Sequence, residues 1–126
     1  MHLSVSLTSG EPIYMQLKEQ IKNQVLAGQL RDGEPLPSIR GLAQSLNISV
    51  ITTKRAYDEL EQEGLVVSVA GKGTYVTSGR AEAIREIQYR DLEERIKSAI
   101  QESRSIGLTR EELLSLVNIL YGEERC

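Results

Sequence analysis

A link of only three residues, Leu46-Asn47-Ile48, separates two stretches of helical apolar spacing, and so short a turn forces the two helices to cross steeply. The upstream stretch opens at Pro37-Ser38. Ser38 suits an N-cap, and Ile39, Leu42, Ala43 and Leu46 fall on one face before Asn47 stops the helix. Downstream, Ser49 can cap a third helix running to about Glu63, with Gly64 at the position that closes helices. Thr53, Ala56, Tyr57 and Leu60 form its inward face, which leaves Val50, Ile51, Lys54, Arg55 and Asp58 pointing elsewhere. A first helix is predicted from Pro12 to Gly28 by the stripe Ile13, Leu17, Ile21 and Val25. Residues 29–36, with Asp32-Gly33 and Pro35, read as a loop. After the third helix, Leu65 to Val69 and Thr74 to Val76 are β-rich runs joined by Ala70-Gly71-Lys72-Gly73, a hairpin pattern. The order helix, helix, helix, hairpin describes a helix-turn-helix followed by a wing.

The pattern changes at Ser78-Gly79, which divides the chain into residues 1–78 and a helical region, residues 79–126. From Ala81 to about Glu102, Ile84, Leu92, Ile96 and Ile100 share a stripe with no Pro or Gly to interrupt it. Ser105-Ile106-Gly107 breaks the helix, and Thr109-Arg110-Glu111-Glu112 forms a capping box ahead of Leu113, Leu116, Val117 and Leu120. Two such helices make an αα-hairpin whose apolar faces exceed what each can cover on the other, so a second copy is the expected partner. The fold class is therefore mainly α with a small β-hairpin, a winged helix-turn-helix followed by a two-helix dimerisation hairpin.

Composition removes whole classes of chemistry. His2 and Cys126 are the sole His and Cys, so a Ser-His-Asp triad, a Cys/His metal site and an internal disulfide cannot be built within one chain. No enzyme activity, cofactor or metal is expected. With no Trp and no Phe, the core must be aliphatic. No apolar run exceeds three residues, as in Leu65-Val66-Val67, far below the roughly 20 that span a bilayer. Met1 to Gly10 lacks a basic start and a long apolar stretch, so neither a signal peptide nor a membrane is expected, and the cytoplasm is the expected compartment. The net charge of −3 supplies no global attraction for nucleic acid; any such role needs a local basic face.

Pro12-Ile13-Tyr14-x-Gln16-Leu17, Gly28-x-Leu30-x-x-Gly33-x-x-Leu36-Pro37-Ser38-x-Arg40-x-Leu42-Ala43, Arg55-Ala56-Tyr57-x-x-Leu60-x-x-Glu63-Gly64-Leu65 and Gly71-Lys72-Gly73-Thr74-x-Val76 together resemble the DNA-binding domain of the GntR family of bacterial transcription regulators. The short helical tail resembles the YtrA-type branch. The resemblance implies a sequence-specific regulator, by default a repressor, that binds double-stranded DNA at a palindromic operator as a homodimer, and the YtrA-type branch implies control of transporter genes. It places the third helix in the major groove, with Ser49, Val50, Ile51, Thr52 and Lys54 at bases and phosphates. Ser38 and Arg40 would contact DNA from the second helix, and Gly71, Lys72 and Gly73 from the wing. Val50 and Ile51 depart from the polar residues usual there; they can meet a thymine methyl but offer no hydrogen bond. A small-molecule effector, if one acts, would bind at the dimer interface or between the domains. The rival reading is a winged-helix protein-protein module without sequence-specific DNA binding. Arg55 is expected to order Asp58 or Glu59, Tyr14 and Tyr57 to pack, and Cys126 to have no role. Lys18 and Lys22 are expected on a solvated face, and Asp58, Glu59, Glu61 and Glu63 along an exposed helix.

Overall fold

The computed structural model describes residues 1–77 and 79–123. Ser78, half of the expected domain junction, and Cys126 lie outside the described residues. The chain divides into two compact units, Met1–Arg85 and Glu86–Cys126.

In the first unit, α1 (Ile13–Leu26), α2 (Ile39–Leu46) and α3 (Val50–Gln62) precede β1 (Val66–Val69) and β2 (Gly73–Val76). The apolar spacings become buried faces: Leu17, Ile21 and Val25 from α1, Leu42 and Ala43 from α2, and Thr53, Ala56, Tyr57 and Leu60 from α3. Leu30, Leu36, Leu65, Val66 and Val76 complete this aliphatic core, and Ala81 closes it. Asn47, between α2 and α3, adopts φ 56°, a left-handed conformation that Asn tolerates better than most residues and that turns the chain sharply.

β1 and β2 pair antiparallel, with Val66 opposite Val76 and Val69 opposite Gly73. The segment expected as a plain loop is stitched to this hairpin. Gly33 N–H donates to Val76 O, Val76 N–H to Glu34 O, and Leu36 N–H to Thr74 O, at 2.7, 2.9 and 2.9 Å. Pro35, which has no N–H to give, bridges Tyr75 at the sheet edge, a position where proline costs the ladder nothing. The wing is thus anchored to the stretch that leads into α2.

Residues 2–6 carry an unforeseen feature. Gln16, Gln20 and Gln24 stand one turn apart along α1 and hold alternate residues of the preceding chain by their backbone. The Gln16 amide accepts from Ser6 N–H and donates to Ser6 O, Gln20 does the same at Ser4, and Gln24 donates to His2 O. Four helical residues rise about 6 Å and two extended residues about 6.7 Å, so the two repeats match.

α4 (Ala81–Ser105) runs a few residues beyond its expected end. Ile84, expected on the dimer stripe, is half-buried and packs against the core of the first unit. α5 (Arg110–Glu123) begins with the expected capping box: Thr109 N–H donates to Glu112 Oε1 at 2.9 Å and Glu112 N–H to Thr109 Oγ1 at 3.1 Å. Both bonds favour the ionised Glu112 carboxyl and hold it below the usual carboxylate range. Beyond the connecting turn the two helices do not pack closely, and α5 buries none of its residues.

Candidate nucleic-acid interface

Both helices of the helix-turn-helix begin with serine caps and carry no acidic residue in their first turn. Ser38 Oγ accepts from Gly41 N–H at 3.0 Å. A Cβ at Gly41 would lie 2.9 Å from that hydroxyl, so glycine is the residue that leaves the cap undisturbed. Ser49 Oγ accepts from Thr52 N–H at 3.0 Å and can donate to Thr52 Oγ1 at 2.7 Å. Thr52 then has its own hydroxyl proton free to donate outward. Uncompensated N–H groups and the helix dipole make such termini favourable for anions.

The cations at this end are not equivalent. Lys54 Nζ sits 2.6 Å from Asp58 one turn on, both being well exposed. Arg55 pairs with Glu59 at 3.2 Å and lies over the Tyr14 ring at 3.7 Å from its centre, a cation–π contact that ties α3 to α1. Arg40 and Lys72 are exposed and make no ion pair among the described residues. Lys72 tops the wing between Gly71 and Gly73, whose φ values of 76° and 124° belong to backbone that other residues adopt at a cost. Tyr75 Oη donates to Lys72 O at 3.3 Å and braces the tip. Val50 and Ile51 project from the first turn of α3, and Ile51 is 81% exposed.

Tyr57 packs as expected. Its hydroxyl donates to Pro37 O at 2.8 Å, fixing α3 to the entry of α2, and burial pushes its pKa to about 12.

Two expectations about charge fail. Lys18 and Lys22 do not form a solvated face: Lys18 lies 3.1 Å from Glu59 and 2.8 Å from Glu63, and Lys22 lies 3.1 Å from Glu63. The lysine side chains are only 16% exposed because α1 packs directly on α3. The 2.8 Å contact to Glu63 Oε2 is an ion contact outside hydrogen-bond angles. The Glu63 carboxylate chiefly holds the Lys18 pKa above its ordinary value, against burial. Hydrogen bonding from Lys18 chiefly lowers Glu59. Burial pushes Glu63 up, but Lys18 and Lys22 together outweigh it and leave the net shift downward. Nor do the acids of α3 simply decorate an exposed helix, because Glu61 accepts from Ser68 N–H at 2.7 Å and so ties α3 to β1. The missed signal was pairwise: Lys18/Lys22 and Glu59/Glu63 repeat at the same four-residue interval with opposite sign.

In the second unit Leu92, Ile96, Leu116, Val117 and Leu120 of the expected interface are exposed, as are Ile87, Leu114 and Ile119 beside them. Ile100 and Leu113 are half-buried around a cavity of about 310 Å³ at the α4–α5 turn.

The family profile described as "Bacterial regulatory proteins, gntR family" matches residues 13–76. The HTH-type transcriptional repressor YtrA of Bacillus subtilis is 32% identical over 88% of this chain and 85% of its own. A crystal structure of a transcriptional regulator from Oenococcus oeni superposes with a TM-score of 0.67 at 29% identity, covering 95% of this chain and 99% of that one. The DNA-binding domain of AraR, solved in complex with operator ORX1, matches with a TM-score of 0.54 at 30% identity over 61% of this chain and all of that one.

Proposed function

Because the chain belongs to the gntR family of bacterial regulatory proteins and carries that family's DNA-binding domain, we propose that it is a repressor that binds a palindromic operator as a homodimer. Residues 1–78 form the reading head and residues 79–126 the dimerisation region. The observation that carries this reading is the acid-free, serine-capped start of both α2 and α3, with Arg40 in α2 and Lys72 on the wing making no ion pair among the described residues. Each α3 enters a major groove at its N-terminus. Ser38, Ser49 and Thr52 meet phosphates, Arg40 meets the backbone, and the Gly71-Lys72-Gly73 tip approaches the minor groove. Lys54 joins them by exchanging Asp58 for a phosphate or a guanine edge.

Dimerisation rests on the exposed Leu92 and Ile96 of α4 and Leu116, Val117 and Leu120 of α5. Apolar surface of that extent on one unit marks an interaction face, and a two-fold pair fits a palindrome. Among the described residues no helix is long and apolar enough to cross a membrane, and the reading places the protein in the cytoplasm with the chromosome. Repression follows from occupying a promoter, and the relative YtrA is a transcriptional repressor. Control of transporter genes is proposed on resemblance to the YtrA-type branch alone.

The test is selection of random duplex DNA by the purified protein at moderate salt, followed by sequencing. An inverted repeat with half-sites about one helical turn apart is expected. A bound pool with no enriched sequence would reject operator recognition.

A further inference from the structure

The outward face of α3 opens with two apolar residues, and its charged residues are already engaged. Lys54 is held by Asp58 at 2.6 Å, and Arg55 by Glu59 at 3.2 Å and by the Tyr14 ring. Ser49 and Thr52 bond each other. Ile51, 81% exposed in the first turn, has no such commitment, and Val50 beside it is 41% exposed. Neither side chain supports the fold by burial, because α3 turns Thr53, Ala56, Tyr57 and Leu60 to the core.

Resting on the operator reading above, we propose that Ile51 determines base specificity by packing on the C5-methyl group of a thymine in each half-site. In the major groove thymine alone among the four bases presents a methyl, and an aliphatic side chain is the group that gains from covering it. Isoleucine also penalises the alternatives. Placed over cytosine it would bury the N4 amino group without a partner, and a buried unpaired donor costs free energy. Discrimination at this position therefore comes from hydrophobic burial and from polar groups left unsatisfied over the wrong base. The neighbouring Thr52 hydroxyl, whose proton Ser49 does not take, fixes the approach through a phosphate.

The chemistry dictates the experiment. Once selection has given an operator, each thymine of a half-site is replaced in turn by deoxyuridine, which removes only the methyl and leaves every hydrogen-bonding group in place. Burial of one methyl is worth about 0.8 kcal/mol, so replacement in one half-site should weaken binding about fourfold, and in both half-sites about fifteenfold. Ile51→Ala keeps the fold, because the side chain is exposed, and should bind the natural operator about as weakly as the wild type binds the deoxyuridine operator. On that variant the replacement should cost nothing further. If no thymine is sensitive to loss of its methyl, or if Ile51→Ala remains as sensitive as the wild type, the inference is overturned while operator binding stands. A selection that yields no operator overturns both.

Discussion

The ion cluster between α1 and α3 offers a quantitative test, with Glu63→Gln as the perturbation. Glu63 faces Lys18 at 2.8 Å and Lys22 at 3.1 Å, in a cluster whose lysine side chains are 16% exposed and whose glutamates are 28–29% exposed. The amide keeps the shape and one acceptor but removes the charge. Fully exposed pairs contribute about 0.2–1 kcal/mol, and breaking a fully buried pair costs about 3–5 kcal/mol. Here the lysine stems are covered, yet Lys22 can swing its ammonium into water and Lys18 retains Glu59. Two lost pairs near the exposed limit give about 1.5 kcal/mol. With a urea dependence of about 2 kcal/mol per molar, the unfolding midpoint should fall by about 0.75 M. Both proteins must be compared at one concentration, because the stability of the proposed dimer would depend on it.

The pH dependence identifies the cause. Glu59 and Glu63 have folded pKa values below the unfolded value, so their contribution is complete above the ordinary glutamate range near 4.3 and disappears as pH falls through the folded values. The gap between wild type and Glu63→Gln should therefore be full at pH 7 and close below about pH 4. Lys18 is shifted upward, so its share persists until pH rises past about 10.4 and is lost above its folded value. A midpoint unchanged at pH 7 would refute the cluster as a stabilising device. A gap that persists at pH 3 would show that amide packing, not charge, is responsible.

Tyr57→Phe should cost about 1 kcal/mol in urea unfolding, since the part-buried hydroxyl bond to Pro37 O is lost; no loss would mean the bond adds nothing net. Lys72→Ala should weaken binding to every duplex alike and reduce the slope of log affinity against log salt by about one unit per reading head; a change confined to particular sequences would make Lys72 a base reader instead. Leu116→Glu should convert the dimer to monomer in sedimentation equilibrium, because a carboxylate would be buried in an apolar contact, and a dimer that survives would move the interface elsewhere.

How legible the fold was follows from the range over which each signal acts. Ser38, Asn47, Ser49 and the Thr109–Glu112 box act within four residues, and each holds its helix end in the structure as its spacing implies. The buried positions of α3 are the ones its periodicity selects, because a helix flanked by two others has only one way to hide Ala56, Tyr57 and Leu60. What escaped the sequence is what two distant elements decide together. Lys18 and Glu59 are 41 residues apart, and nothing local to either says that α1 will lie on α3 in the register that joins them. The glutamine ladder on α1 escaped for the same reason, as did the pairing of residues 33–36 with β2. For the candidate site, residue types and the helix ends that carry them were legible, but the ion pair that holds Lys54 to Asp58 was not.

That commitment bears on the difficulty the composition raised, a chain of net charge −3 proposed to hold a polyanion. What matters is where the acids lie and what they already neutralise. Glu59 and Glu63 are absorbed by Lys18, Lys22 and Arg55, Asp58 by Lys54, and Glu61 and Glu34 accept backbone N–H groups. Along α3, Glu59 and Glu63 stand eight and twelve residues beyond Ile51, about 12 and 18 Å at 1.5 Å per residue. Both distances exceed the screening length of about 8 Å at physiological salt, so these acids contribute little field at the helix N-terminus. Within that length stand a helix end with no acid in its first turn and the Ser49 and Thr52 hydroxyls, while Arg40 and Lys72 have no ion pair to break among the described residues. The total is negative, but the acids of α3 lie away from the helix end that carries Ser49 and Thr52. On the operator reading proposed above, the consequence is a modest number of phosphate contacts per head, so base readout at the start of α3 would carry more of the discrimination than bulk charge could supply.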